Sequence, residues 1–232
     1  MRVSDEIARF SLNLNARALS RLDQYHALLM AGNQQMDLTK VPEEEMPVRH
    51  YADSLLPIKL GLIPPDASII DVGSGAGFPG LIIAIARPKQ RIVLLESMKK
   101  RCQFLQDAID QMELPCASVV CGRAEDLARG SLRESFDLAL ARAVAPLDVL
   151  AEYLLPFVKT GGRALCWKGP AIQDELASCA RACQTLGGAV GEQVDLNIPG
   201  RGHLIQALEK LTQTPQKYPR KAGIPAKNPL GG

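Results

Sequence analysis

The sequence predicts an α/β protein, a mostly parallel sheet with helices on both faces. Three observations carry this. From about residue 66 to 208 short apolar runs alternate with stretches of helical spacing, the mark of βα units. A glycine-rich loop, residues 71–80, follows the first apolar run at once, where an open α/β sheet admits a ligand. The chain has 232 residues, 47% apolar and 22% charged, enough for one large domain with a real core.

The elements follow in order. Residues 1–60 read as a helical segment packed on the core, with Leu22, Tyr25, Leu28 and Leu29 at helical spacing. The methyl-rich runs Ser68–Val72, Arg91–Leu95, Ser118–Cys121, Phe136–Ala141, Arg163–Lys168 and His203–Glu209 are expected as strands of a domain over 61–209. Between most of them lie expected helices, Leu81–Ala86, Lys99–Met112, Leu147–Val158 and Ile172–Leu186. Residues 210–232 hold Pro215, Pro219, Pro225 and Pro229 with several cations and no acid, and are expected as a basic, largely irregular tail.

Composition narrows the function classes. A net charge of +2 confines any nucleic-acid face to a local cluster of cations. No run of about 18 apolar residues exists and the first twenty residues lack an apolar h-region, so neither a membrane span nor a signal peptide is expected. The six cysteines form no Cys-x-x-Cys, so they read as small buried thiols rather than a metal site. Of the histidines, His26 is expected to pack without a role, His50 to make a structural hydrogen bond, and His203 is uncommitted.

The loop "DVGSGAGFPG" is built for close approach of a nucleotide-like ligand, because glycine lets the chain turn sharply and bare its amides. A Walker loop is excluded, since no Lys-Ser/Thr follows the last glycine. Gly75, Gly77 and Gly80 spell G-x-G-x-x-G, and Glu96 ends the next strand, where an acid binds a ribose. Read literally, this is the fingerprint of a nicotinamide dehydrogenase. Asp71 argues otherwise: a carboxylate at the loop's mouth repels a pyrophosphate and suits a cofactor with an ammonium and a sulfonium, S-adenosylmethionine. A third class, a non-catalytic RNA-binding protein on the same fold, stays open.

The stretches "DVGSGAGFPG", "LLESMKKRCQFL", "GRAEDL", "FDLALARAVAPL" and "CWKG", with "DLTKV" (37–41), "RHYADSL" (49–55) and the tail "KYPRKAGIPAKNPL", resemble the bacterial ribosomal RNA small subunit methyltransferase G family, also called glucose-inhibited division protein B. The resemblance runs from about residue 37 to 230. It implies a Rossmann-like class I S-adenosylmethionine-dependent methyltransferase fold, and methylation of N7 of a guanine in the decoding-region hairpin of 16S ribosomal RNA. It further implies a cytoplasmic protein, expected as a monomer, with 16S RNA or the small subunit as partner and no metal.

Carried over by position, the resemblance implies that Gly73 and Phe78 line the cofactor beside Asp71, Gly75, Gly77 and Glu96. It implies that Ala124 and Glu125 hold the adenine and that Arg142 lies beside cofactor and target base. Lys100, Arg123 and Lys168 match basic positions near the family's site. Guanine N7 has an exposed lone pair and no proton, so no general base is expected and these cations would position phosphates or the O6 edge. Phe78, Phe136 and Trp167 are candidates to stack the base. Arg201 with the tail's Lys210, Lys217, Arg220, Lys221 and Lys227 is expected to grip RNA, so that cutting after Lys210 weakens RNA binding and spares cofactor affinity.

Overall fold

The protein, a computed structural model, is described over residues 2–142 and 144–232. Seven strands form one sheet: β1 Ile69–Val72, β2 Ile92–Glu96, β3 Ala117–Cys121, β4 Phe136–Arg142, β5 Val158–Lys168, β6 Gly188–Asp195 and β7 Leu204–Lys210. Their order is β3-β2-β1-β4-β5-β7-β6. β1 to β5 pair in parallel, and β7 runs antiparallel to both β5 and β6. Strand order reverses between β1 and β4, and the crevice beyond their carboxyl ends is where such a sheet binds ligands.

The pleat sends alternate residues to two separate cores. Ile69, Leu94, Leu138 and Leu140 pack on one face; Ile70, Val93, Ala139 and Ala141 pack on the other. The first face is covered by α1 Val3–Ile7, α2 Ala16–Met36, α3 Asp53–Lys59, α4 Gly80–Ala86 and α5 Lys99–Gln111. The second is covered by α6 Ala124–Leu127, α7 Leu147–Leu154 and α8 Leu176–Leu186. Asn15 caps α2 by accepting from Ala18 N at 2.8 Å, and Ala18, Leu22, Tyr25 and Leu29 form its buried stripe. One π-helical turn, Pro47–Ala52, leads into α3 and turns Arg49, His50 and Asp53 toward the carboxyl end of the sheet.

Several element boundaries differ from expectation. The helix expected over Leu147–Val158 ends at Leu154 and closes in a 3-10 turn, Leu155–Phe157, because Pro156 has no N–H to continue it. The one expected over Ile172–Leu186 begins with 3-10 turns, Pro170–Glu175, before α8. β6 was not expected at all. It is an edge strand, carries two glycines and two acids, and shifts register between Val190 and Gln193, so no apolar run marks it.

The tail is corrected more deeply. Residues 211–232 contain the short helix α9 Ile224–Lys227 and dock on the second face. Arg129 donates to Pro219 O at 2.9 Å through Nε, and Arg133 donates to Tyr218 O at 2.8 Å. Arg220 pairs with Glu152 at 2.6 Å, and Gly223 N donates to Glu125 Oε1 at 2.8 Å. Lys210 is buried and pairs with Glu134 at 3.0 Å. Lys210 and Arg220 are therefore engaged by acids of the fold rather than free as expected, while Lys217, Lys221 and Lys227 are exposed. Cutting after Lys210 removes these anchors, so its effect is not confined to RNA.

Candidate functional site

The glycine loop is shaped from below as much as from above. Tyr25 of α2 donates its hydroxyl to Ala76 O, and burial pushes that phenol well above its ordinary range. Gly73 and Gly75 have φ of +76° and +57° and line a cleft of about 330 Å³. A Cβ on Gly75 would meet only the Gly73 carbonyl, at 3.8 Å, so a side chain there would project into open space. Gly77 faces inward: its Cβ would lie 2.9 Å from Leu81 Cβ. Gly77 is thus a packing glycine outside the cleft wall, contrary to its expected cofactor role.

Asp71 is likewise corrected. It is 1% exposed and does not front the cleft. Its Oδ2 accepts from Gly80 N at 3.0 Å, capping α4 from beneath, while Oδ1 has no partner among the described residues. Burial raises its pKa to about 6, against the Gly80 hydrogen bond and the distant Arg142 charge, which lower it. The acid that reaches the cleft is Glu96. Its Oε1 accepts from Ser97 N at 2.7 Å and Met98 N at 2.8 Å, and Oε2 accepts from Gly75 N at 2.9 Å. Oε2 keeps a lone pair for a further donor such as a ribose hydroxyl.

Arg142 closes the other side of this cleft and also lines a second one, of about 390 Å³, with Val41, Arg49, Asp53, Trp167, Lys168 and His203. Its guanidinium lies 5.2 Å from the Phe78 ring centroid. Nη1 donates to Arg49 O at 2.8 Å and Asp53 Oδ2 at 3.2 Å. Nη2 lies 3.0 Å from His50 Nδ1, and because arginine only donates, Nδ1 accepts. His50 Nε2 therefore carries the proton and donates to Thr39 Oγ1 at 2.8 Å. The His50 ring stacks on Phe78 at 4.4 Å. Its hydrogen bonds are structural, as expected, yet it is also the partition between the two clefts.

The remaining expected residues divide. Gly73, Gly75, Phe78, Glu96 and Arg142 meet at the first cleft, and Trp167 and Lys168 at the second. Lys168 donates to Ala145 O at 3.1 Å and pairs with Glu175 at 2.6 Å. Trp167 Nε1 donates to Asp53 O at 3.1 Å. Phe136 is a core residue, 6.5 Å from Phe157, and stacks no ligand. Lys100 and Arg123 are exposed outside both clefts. Ala124 packs in the second core, and Glu125 turns its buried carboxylate to Gly223 of the tail. Neither reaches the cleft by its side chain. Arg201 is paired with Glu45 at 2.7 Å. Ala143, in the expected Ala-Arg-Ala stretch, lies outside the described residues.

Asp53, His203, Arg49 and Thr39 carry geometry that the sequence did not assign them. "RHYADSL" contains two of these residues, Arg49 and Asp53, but only the fold brings that turn to the strand ends.

The histidine shift gives a testable pH dependence. Burial and the Arg142 charge push the His50 pKa down to about 3. The unfolded chain takes up this proton near pH 6.5 and the folded chain does not, so the term removes stability as pH falls through that window. Asp71 acts oppositely: the folded state protonates first, near pH 6, and gains stability as pH falls toward 3.8. His50→Gln deletes the first term only. Its stability relative to the parent protein should rise by about 3 kcal/mol between pH 7 and pH 4, read from urea midpoints. A difference independent of pH would contradict this.

Comparison with known proteins adds the following. Residues 18–202 match the family described as GidB: rRNA small subunit methyltransferase G. The chain is 42% identical over 224 residues to the ribosomal RNA small subunit methyltransferase G of Alkaliphilus oremlandii, covering 95% of this chain and 94% of that protein. It is 42% identical over 225 residues to the same-named protein of Leuconostoc citreum, covering 94% of each. Among solved structures it is similar in fold to M. jannaschii TYW2 in complex with AdoMet, with a TM-score of 0.53, 12% identity, and 71% of this chain and 78% of that one covered. It is also similar to a mutant of MtNAS in complex with S-adenosylmethionine, with a TM-score of 0.56, 16% identity, and 90% and 83% covered.

Proposed function

The chain belongs to the rRNA small subunit methyltransferase G family, and from that premise we propose that it methylates N7 of a guanine in 16S ribosomal RNA with S-adenosylmethionine as donor. The observation that carries the reading is the junction of two clefts at Arg142 and His50, beyond the strand ends where the sheet order reverses. The first cleft suits the donor: bare backbone at Gly73 and Gly75, the spare lone pair on Glu96 for a ribose hydroxyl, and the Phe78 ring. The second suits a splayed base. The nicotinamide dehydrogenase reading finds no support in the family match or in these relatives.

Gly73, Gly75, Phe78 and Glu96 would hold S-adenosylmethionine, which would supply an electrophilic methyl on a sulfonium and, once N7 has taken that methyl, leave as the neutral thioether. The protein's own residues need supply no base, because N7 already offers a lone pair. Their task is alignment and exclusion of water, which lowers a barrier by roughly 7–11 kcal/mol in favourable systems. The partition suits a reaction that leaves a cation on the base. His50 is held neutral, and the Arg142 charge is balanced by Asp53 at 3.2 Å. A base entering the second cleft presents N7 toward that partition.

The finer roles rest on the same reading. The assembled small subunit or its RNA is the partner, the protein works as a cytoplasmic monomer, and the exposed Lys100, Arg123, Lys217, Lys221 and Lys227 are cations available to phosphates. The test is transfer of labelled methyl to small subunits and to naked 16S RNA from cells lacking the protein, with N7-methylguanine mapped in the product. Stabilisation by S-adenosylhomocysteine and not by NAD is the companion result. No label in either RNA form, or stabilisation by NAD alone, would overturn the reading.

A further inference from the structure

We infer that Asp53 sets Arg142 and His203 as a donor and an acceptor on one wall of the second cleft, and that this pair selects guanine over adenine. The inference rests on the proposed function and names how its acceptor site reads the base. Asp53 is 1% exposed and has both oxygens engaged. Oδ2 takes Arg142 Nη1 at 3.2 Å, and Oδ1 lies 2.9 Å from His203 Nδ1. A carboxylate oxygen accepts, so Nδ1 of His203 carries a proton, which in the neutral tautomer leaves the lone pair on Nε2. No hydrogen bond to that Nε2 is found among the described residues, and the His203 side chain is 32% exposed in the cleft wall.

Arg142 has donors left over. Two of its N–H groups go to Arg49 O and Asp53, and one goes to His50, which leaves one on Nη2 and one on Nε. The wall therefore offers a donor from Arg142 and an acceptor from His203, both held by the one carboxylate of Asp53. Along a guanine edge the order is N7, O6, N1–H. With N7 at the partition, O6 faces Arg142 and N1–H faces His203 Nε2. Adenine reverses both positions, with an N6 amine against the donor and a bare N1 against the acceptor. Leaving both groups unpaired is what gives polar sites their discrimination.

His203 touches the base in this scheme, and Asp53 acts through it as a positioning residue. Three variants test the pair: His203→Gln keeps an acceptor, His203→Lys has only donors, and His203→Phe has neither. Methyl transfer to undermethylated small subunits is measured as kcat and KM, alongside S-adenosylhomocysteine affinity by calorimetry. His203→Lys and His203→Phe should lose at least tenfold in kcat/KM, His203→Gln should retain several times more than either, and all three should bind S-adenosylhomocysteine within twofold of the parent. Equal activity of the Lys and Gln variants would overturn the inference. So would parallel loss of cofactor affinity, or Phe activity within twofold of the parent. Failure of the parent protein to label any small subunit would instead sink the proposed function itself.

Discussion

Glu152→Ala lowers the melting temperature by roughly 6–12 °C and opens the C-terminal segment to protease. Glu152 is wholly buried on α7, and it accepts from Arg220 N at 2.7 Å, from Arg220 Nε at 3.0 and 3.1 Å, and from Nη2 at 2.6 Å. That pair raises the Arg220 pKa above its ordinary value. Removing the acid leaves a half-buried guanidinium without its counter-charge, a loss of about 3 kcal/mol when one partner of such a pair goes. For a domain of this size that corresponds to the stated shift in melting temperature. The strap also carries Gly223 N to Glu125, at the head of the short helix after β3. Arg220→Lys keeps the charge but loses the forked geometry, and should cost less. Differential scanning calorimetry with limited proteolysis decides the matter. A variant that melts within 2 °C of the parent and keeps its tail protected would show that the strap is held some other way.

Gly80→Ala is expected to remove about 3 kcal/mol of stability and at least tenfold of S-adenosylhomocysteine affinity. Its Cβ would lie 2.7 Å from both Asp71 Cβ and Asp71 Oδ2, and 2.6 Å from Leu94 Cδ2. Leu94 has a flexible tip. Asp71 does not have room, since its Oδ2 is already bonded to Gly80 N and the residue is sealed under the loop. Relief requires α4 to lift off β1, and the loop between them, which lines the cleft, moves with it. Gly161→Ala is the control: φ is +86° there, but nothing lies within 4 Å, so only the backbone cost of about 1 kcal/mol applies. Urea titration and calorimetry on both variants test the contrast. Equal losses at the two positions would mean that the Cβ contacts with Asp71 and Leu94 do not govern the loop.

Much of the molecule was legible from local pattern. Ile69–Val72, Ile92–Glu96 and Phe136–Arg142 are apolar enough to read as strands buried on both faces. Gly75 and Glu96 stand out because a loop after a strand and an acid after the next strand are fixed by the chain itself, whereas Gly73 is singled out through the family resemblance. What misled was direction. Asp71 reads as the mouth of the loop, but β1 turns its side chain downward, where it caps α4 instead of meeting a ligand. Lys210 and Arg220 read as free cations because the stretch that follows Glu209 carries no acid to pair with them. Their partners, Glu134 and Glu152, lie about seventy residues earlier.

The sequence by itself determined the βα alternation, the glycine crease and the acid that ends the next strand, because each depends on residues close along the chain. The tertiary structure alone decided which side chains face one another. Asp53 reaches Arg142 across 89 residues and His203 across 150, and these contacts create the second cleft. Burial and hydrogen-bond partners over such separations follow from how the layers close, and no local pattern encodes that closure.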